Sequence, residues 1–295
     1  MFFENFAEIT PVLKGWSEDK KYCVTGYDGT KYLLRISPTE RFETRKNLFE
    51  MLGKVAALGV PMCKPIDFGT CSDGVYALYS WIDGEDLRDL LPKLPEVEQY
   101  KLGLKSGEIL RVIHSIPAPD NQENWAERFN RKADIKIKQY QACGFKINGD
   151  DNMIKYVEQN RHLLENRPQC FQHGDYHDGN MMIENGELII IDFDRYDYGD
   201  PFEEYNRIAF SAQSSPHFAT GQLNGYFGGD VPLEFFKLLA FYIAPNALAS
   251  VYWALNFGEK ETDFMIKLTS DTLKCYNNFE NVNNLVPSWY LKNYK

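Results

Sequence analysis

The stretch from His173 to Asp194 constrains this chain more than any other. It reads His173-Gly174-Asp175-Tyr176-His177-Asp178-Gly179-Asn180 and, after a short apolar run, Ile191-Asp192-Phe193-Asp194. Glu187-Leu188-Ile189-Ile190-Ile191 is β-branched and apolar, as a strand requires, and Asn185-Gly186 before it is a strong hairpin turn pair. Asp175 and Asn180 therefore precede a hairpin, and Asp192 stands at the far end of its second strand. Folding the hairpin back brings Asp192 near Asn180. One carboxylate is then left to orient a hydroxyl, while an amide oxygen and a second carboxylate can share a hard cation.

A loop Asp alone reads as an Asx turn. Asn180 and Asp192 in register change that reading, because phosphoryl transfer of the protein-kinase type uses a catalytic-loop Asp, an Asn five residues on and a metal-binding Asp after the next hairpin. At these residues the chain resembles the aminoglycoside phosphotransferase family, small-molecule kinases of protein-kinase-like fold whose relatives act on choline, homoserine, methylthioribose and macrolides. The family signature is His-Gly-Asp, four variable positions, Asn, then Ile-Asp-Phe/Leu, and each fixed position is met. The resemblance runs from about Lys14 to Tyr205.

The resemblance implies an α+β, bilobal, protein-kinase-like fold, ATP or GTP as phosphate donor, Mg²⁺, and a small-molecule acceptor. Asp175 becomes the catalytic base, and Asn180 and Asp192 the metal ligands. Lys14-Gly15-Trp16-Ser17 resembles the phosphate-covering loop, with Gly15 and Ser17 at the phosphates. Arg35 stands where the family has a small-lobe Lys. Its helix partner is assigned to Glu50, with Leu48 the alternative position, although a solvated polar face (Glu43, Lys46, Glu50, Lys54) reads equally from spacing. A hinge near Trp81–Gly84, with Ser80 and Ile82, is where backbone groups meet the nucleotide base.

The rest of the chain suits that organisation. Tyr22–Thr25 and Lys31–Ile36 are strand-like around an Asp28-Gly29 turn. Ser37-Pro38-Thr39-Glu40 reads as a helix cap, and Leu48, Met51, Leu52, Val55 and Leu58 recur at helical spacing until Gly59. Val75–Tyr79 is a further strand. Residues 102–114, 125–166 and 232–280 are helical in pattern. The expected division is a β-rich lobe over 1–83 and a mainly helical lobe over 84–295 that includes the catalytic hairpin. Phe235–Phe257 imitates a membrane span, but Lys237, Pro245, Asn246 and Asn256 argue for two buried helices broken near Pro245.

Net charge is −10 over 295 residues. That disfavours nucleic acid and anionic membrane as partners and allows cationic ligands; no obligatory protein partner is inferred. Six scattered cysteines without a Cys-x-x-Cys pair, and no signal-peptide pattern, fit a cytoplasmic protein. Residues 174–204 hold ten acidic side chains and one basic one, Arg195. The excess, with Asp178, Asp194, Glu203 and Glu204 as candidate contacts, suits an amine-bearing acceptor; turns and helix starts would equally account for it. Two other function classes are a catalytically silent nucleotide-binding module and, from His173-x-Asp175-x-His177, a metal-dependent hydrolase.

Overall fold

The structure, a computed structural model, describes residues 2–13 and 18–294. In chain order the strands are β1 (Glu8–Pro11), β2 (Lys20–Thr25), β3 (Lys31–Ser37), β4 (Pro65–Cys71), β5 (Gly74–Ser80), β6 (Glu85–Asp86), β7 (Cys170–Gln172), β8 (Met181–Glu184), β9 (Glu187–Ile190) and β10 (Asp197–Gly199). The helices are α1 (Phe42–Ala57), α2 (Leu87–Leu90), α3 (Glu96–Ile113), α4 (Trp125–Ala142), α5 (Asp150–Gln159), α6 (Ile208–Ser214), α7 (Pro216–Phe227), α8 (Leu233–Ala254) and α9 (Glu259–Cys275).

Two compact units result. The first comprises Met1–Asp89 and Asn180–Tyr196, the second Leu90–Gly179 and Asp197–Lys295. The boundary thus lies six residues beyond the expected 83/84, and the hairpin belongs with the first unit. Strand pairing explains this. β6 pairs antiparallel with β8, Met62 bridges Ile190 in parallel, and the Ile190 N–H donates to Pro61 O at 2.9 Å.

In the first unit five antiparallel strands run in the order β1-β2-β3-β5-β4. The β2–β3 turn forms where expected, with Gly29 at φ 83° and Asp28 Oδ1 accepting the Thr30 N–H at 2.9 Å. Val24, Leu34 and Ile36 form the sheet's buried core. α1 buries Leu48, Met51, Leu52 and Val55 as its periodicity requires. It starts later than the sequence suggests: Ser37 completes β3, Thr39–Arg41 forms a 3₁₀ turn, and the helix begins at Phe42. The Ser37 hydroxyl, read as a cap, instead donates to Asp19 Oδ1 at 2.8 Å.

The second unit is helical around the short pair β7–β10. α3 and α7 interlock through two small-residue pairs, Gly103 with Gly107 and Gly221 with Gly225. A Cβ on Gly107 would lie 2.1 Å from Gln222 O, and one on Gly225 2.0 Å from Leu104 O. Such backbone approach needs glycine. α8 is one unbroken helix through Pro245, not a broken pair. The proline removes one ladder donor, but the helix is buried among α4, α5 and α9. It is long and apolar enough to cross a membrane by length and composition, with a mean hydropathy of 1.5. Its Asn246 accepts from Lys136 Nζ at 3.0 Å.

Candidate active site

The second unit holds the loop that carries Asp175. β7 delivers the chain to His173, and Gly174 turns it at φ 84°, a conformation that favours glycine. Three clamps follow. The Glu204 carboxylate accepts the His173 and Gly174 N–H groups at 2.6 and 2.9 Å. Tyr176 is buried, and its hydroxyl donates to Ser106 O of α3 at 2.8 Å. Asp178 is fully buried; its N–H donates to Ser211 Oγ at 3.1 Å and its carboxylate accepts from Ser214 Oγ at 2.6 Å, both on α6. His173 braces the loop from within, its Nδ1 accepting the Asp175 N–H at 3.2 Å. Asp175 stays partly exposed, with Arg207 Nε 3.2 Å and His177 Nε2 3.6 Å from its Oδ1.

The first unit holds Asn180 and Asp192. Asn185 and Gly186 both have positive φ, as the turn pair predicts, and β8 faces β9 down to Met181 opposite Ile190. The Ile191 N–H then donates to Asn180 O at 3.1 Å. Asn180 and Asp192 therefore sit at one end of the hairpin. Asp192 has φ 64°, a left-handed backbone that costs a non-glycine residue energy and gathers at functional sites. Its side chain is exposed and makes no hydrogen bond or ion pair among the described residues. An amide oxygen beside an uncommitted carboxylate is a hard donor set that fits a divalent cation such as Mg²⁺.

Arg35 belongs to an ion cluster in the same unit. It donates to Asp19 Oδ2 at 2.9 Å and pairs with Asp194. Arg45 of α1 joins it, 2.6 Å from Asp19 Oδ2 and 2.9 Å from Asp194 Oδ1. Burial raises the Asp19 carboxyl, but Arg35, Ser37 and Arg45 together more than reverse this and leave it below the ordinary carboxylate range. The acids that meet Arg35 are thus Asp19 and Asp194, and α1 contributes a second cation, Arg45, in place of the expected Glu50. Glu50 is exposed and lies 3.8 Å from Lys46 Nζ. The physical reason is face: Arg45 shares a stripe with Leu48, Leu52 and Val55, while Glu50 points away from it. An arginine on an apolar stripe was the signal for this cluster.

The four carboxylates offered as acceptor contacts are occupied inside the fold. Asp178 serves α6 and Asp194 the arginines. Glu203 takes Lys132 Nζ at 3.2 Å, and Glu204 the two loop amides. At the expected hinge, Ser80 donates its N–H to Lys64 O, takes the Lys64 N–H on its hydroxyl and accepts the Cys63 thiol on its carbonyl, so its backbone is spent. Ile82 lies in the irregular segment 81–84, and its backbone makes no hydrogen bond among the described residues. Gly15 and Ser17 lie outside the described residues. No group of three or more His, Cys, Asp or Glu gathers as a metal site among the described residues, and His173 and His177 each spend Nδ1 on a backbone N–H. His177, Arg207 and Glu204 act in this loop through contacts that no local spacing signals.

No curated protein matches the chain in sequence. Solved structures match its fold. A thermostable mutant of aminoglycoside phosphotransferase APH(4)-Ia in its apo form has a TM-score of 0.65 at 17% identity, covering 91% of this chain and 94% of that one. An amicoumacin kinase bound to AMP-PNP, Ca²⁺ and its ligand has 0.63 at 16%, over 89% and 87%. A choline/ethanolamine kinase family protein from Mesorhizobium loti has 0.67 at 14%, over 95% and 92%. A β-sheet amino-terminal region and a helical remainder thus match the protein-kinase-like architecture. The sequence model of the phosphotransferase enzyme family matches residues 8–236, so this chain belongs to that family and is a small-molecule kinase.

Proposed function

We propose that this kinase moves the γ-phosphate of ATP or GTP to a hydroxyl of a small molecule. Asp175 orients the acceptor hydroxyl and receives its proton as the new P–O bond forms; the bond from the γ-phosphorus to the β-phosphate oxygen breaks, and the nucleoside diphosphate leaves. In such a loose transition state, positioning and charge neutralisation supply nearly all the catalysis. Arg35 and Arg45 meet phosphate charge, and the Ile82 backbone meets the base. Asn180 and Asp192 would hold a Mg²⁺ ion, which when bound would supply charge neutralisation for the phosphates. The observation that carries this reading is Asp192: an exposed carboxylate on a left-handed backbone, without a partner among the described residues, next to Asn180 at the hairpin end.

Relatives of this fold were captured with ADP and hygromycin B, and with amicoumacin. An aminoglycoside-like antibiotic or an amino-alcohol is therefore the first acceptor class to test. A cationic acceptor is supported by the net charge of −10 and not by the acid cluster, whose members other than Glu187 and Asp192 have internal partners. The test is a transfer screen with ATP and GTP over aminoglycosides, macrolides, choline and amino-alcohols, run on wild type and Asp175→Asn. The variant should bind nucleotide and lose at least ~10²-fold in turnover, the usual scale for a positioned base. Near-wild-type turnover by Asp175→Asn would remove that residue from the mechanism.

A further inference from the structure

His177 is not explained by the phosphate or metal chemistry. It lies two residues beyond Asp175, on the same loop of the second unit. Its Nδ1 is 3.0 Å from the Gly179 nitrogen. A backbone N–H only donates, so Nδ1 is the acceptor and the neutral ring carries its proton on Nε2. Nε2 faces Asp175 Oδ1 at 3.6 Å. The ring is held by Phe210, with centroids 5.4 Å apart and planes at 31°. Arg207 Nε approaches the same Oδ1 at 3.2 Å.

We propose that His177 is a positioning residue: its Nε2–H, with the guanidinium charge of Arg207 beside it, holds Asp175 through Oδ1 and sets the plane in which that carboxylate meets the acceptor hydroxyl. The chain of restraint is short. Gly179 fixes the tautomer, Phe210 fixes the ring, and the ring fixes the carboxylate. A distance of 3.6 Å is long for a finished hydrogen bond, and catalytic hydrogen bonds commonly tighten only when substrate is bound. A ring N–H facing one carboxylate oxygen, with a guanidinium charge beside the same oxygen, restricts rotation about the side-chain torsion, and misplacement of a reacting group by about 1 Å can cost ~10²-fold in rate. No part of this depends on the charge of the ring.

The inference rests on Asp175 acting as proposed, so its test has two arms. In the first, His177→Leu keeps the apolar packing on Phe210 and removes the donor, whereas His177→Gln keeps an N–H donor. Turnover is read with the best acceptor of the screen, or as nucleotide hydrolysis if water is the best. His177→Leu should lose about tenfold or more in kcat with nucleotide KM unchanged, and His177→Gln should recover most of it. Equal kcat in all three proteins, or equal loss in both variants, overturns the positioning role. In the second arm, ¹⁵N-histidine spectra report the neutral ring directly. An Nε2–H tautomer that changes environment in Asp175→Asn supports the contact, and an Nδ1–H tautomer overturns it. Should Asp175→Asn keep full turnover while the tautomer is Nε2–H, the catalytic assignment of Asp175 fails and the contact alone survives.

Discussion

Glu204 separates two readings of this site. As an acidic residue near the catalytic motif it suits an amine on the acceptor; in the structure it is the clamp that closes the His173-Gly174 turn. Its carboxylate is 1% exposed and accepts two backbone N–H groups, at 2.6 and 2.9 Å. Glu204→Ala strands both donors in a buried place. Each stranded buried donor costs roughly 1–3 kcal/mol, so the variant should lose about 4 kcal/mol in all. At roughly 2–4 °C per kcal/mol for a body of this size, the midpoint should fall by ~8–16 °C. Glu204→Gln keeps one acceptor oxygen and turns an NH₂ toward the other amide, so roughly half that loss is expected. Asp175 follows Gly174 directly, so kcat should fall in both variants in step with stability, with acceptor KM little changed. Calorimetric melts and steady-state kinetics on the same preparations decide the matter. A midpoint within ~2 °C of wild type, together with a tenfold rise in acceptor KM, would refute the clamp and restore the acceptor-contact reading.

Three further outcomes follow from other contacts. Arg45→Met leaves the buried Asp19 with Arg35 and the Ser37 hydroxyl, Arg41 standing farther off at 4.0 Å, and should destabilise the first unit by about 2–3 kcal/mol because those partners remain, with Arg45→Lys intermediate; denaturant melts of both check it. Gly225→Ala places a methyl 2.0 Å from Leu104 O, so α3 and α7 must part, and a net loss of ~1–3 kcal/mol should outweigh the better helix propensity of alanine; unchanged stability would deny the close approach. Burial raises the Asp150 carboxyl, but Lys146, the Tyr140 hydroxyl and the Ile147 N–H bring it below the ordinary carboxylate range. A depressed folded-state pKa gives stability that is present above the unfolded value, near ~3.9, and lost as pH falls below it, so Asp150→Asn should flatten the acid limb of a stability–pH curve and leave its neutral limb parallel to wild type.

What could be read from sequence was local. The catalytic hairpin is legible because Asn185-Gly186 supplies two positive φ angles and β9 an unbroken apolar run. The β2–β3 turn is legible for the same reason, through Asp28-Gly29. β1 and β4 escaped notice: β1 is exposed throughout and ends on Pro11, so it carries no apolar alternation, and β4 is mostly surface. The start of α1 was misread because Ser37-Pro38-Thr39-Glu40 has cap chemistry, yet Asp19 claims the Ser37 hydroxyl across eighteen residues. Pro245 suggests a break, but the buried surroundings of residues 238–246 carry α8 through it. The lobe boundary was misplaced because pairing of β6 with β8 is invisible to periodicity.

The same limit governs the charge around the site. Counted along the chain, residues 174–204 carry ten acids against Arg195, and an uncompensated field follows. In the fold, cations from elsewhere in each unit neutralise it: Arg207 at Asp175, Arg35 and Arg45 at Asp194, Arg128 at Asp197, Arg167 at Asp200 and Lys132 at Glu203. Asp178, Glu184 and Glu204 spend their oxygens on hydroxyl or backbone donors. None of these partners lies within the segment except the Gly174 amide that Glu204 holds, so no local count could have balanced the charge. Of the carboxylates that remain without a partner among the described residues, Glu187 is on the far side of a hairpin turn and Asp192 is beside Asn180. Electrostatic preference at such a place is set by the charge that is left over, not by the charge that is present. The carboxylate left here without a partner among the described residues is Asp192, in a strained backbone next to an amide oxygen, and the ligand it suits is a divalent cation before it is an amine.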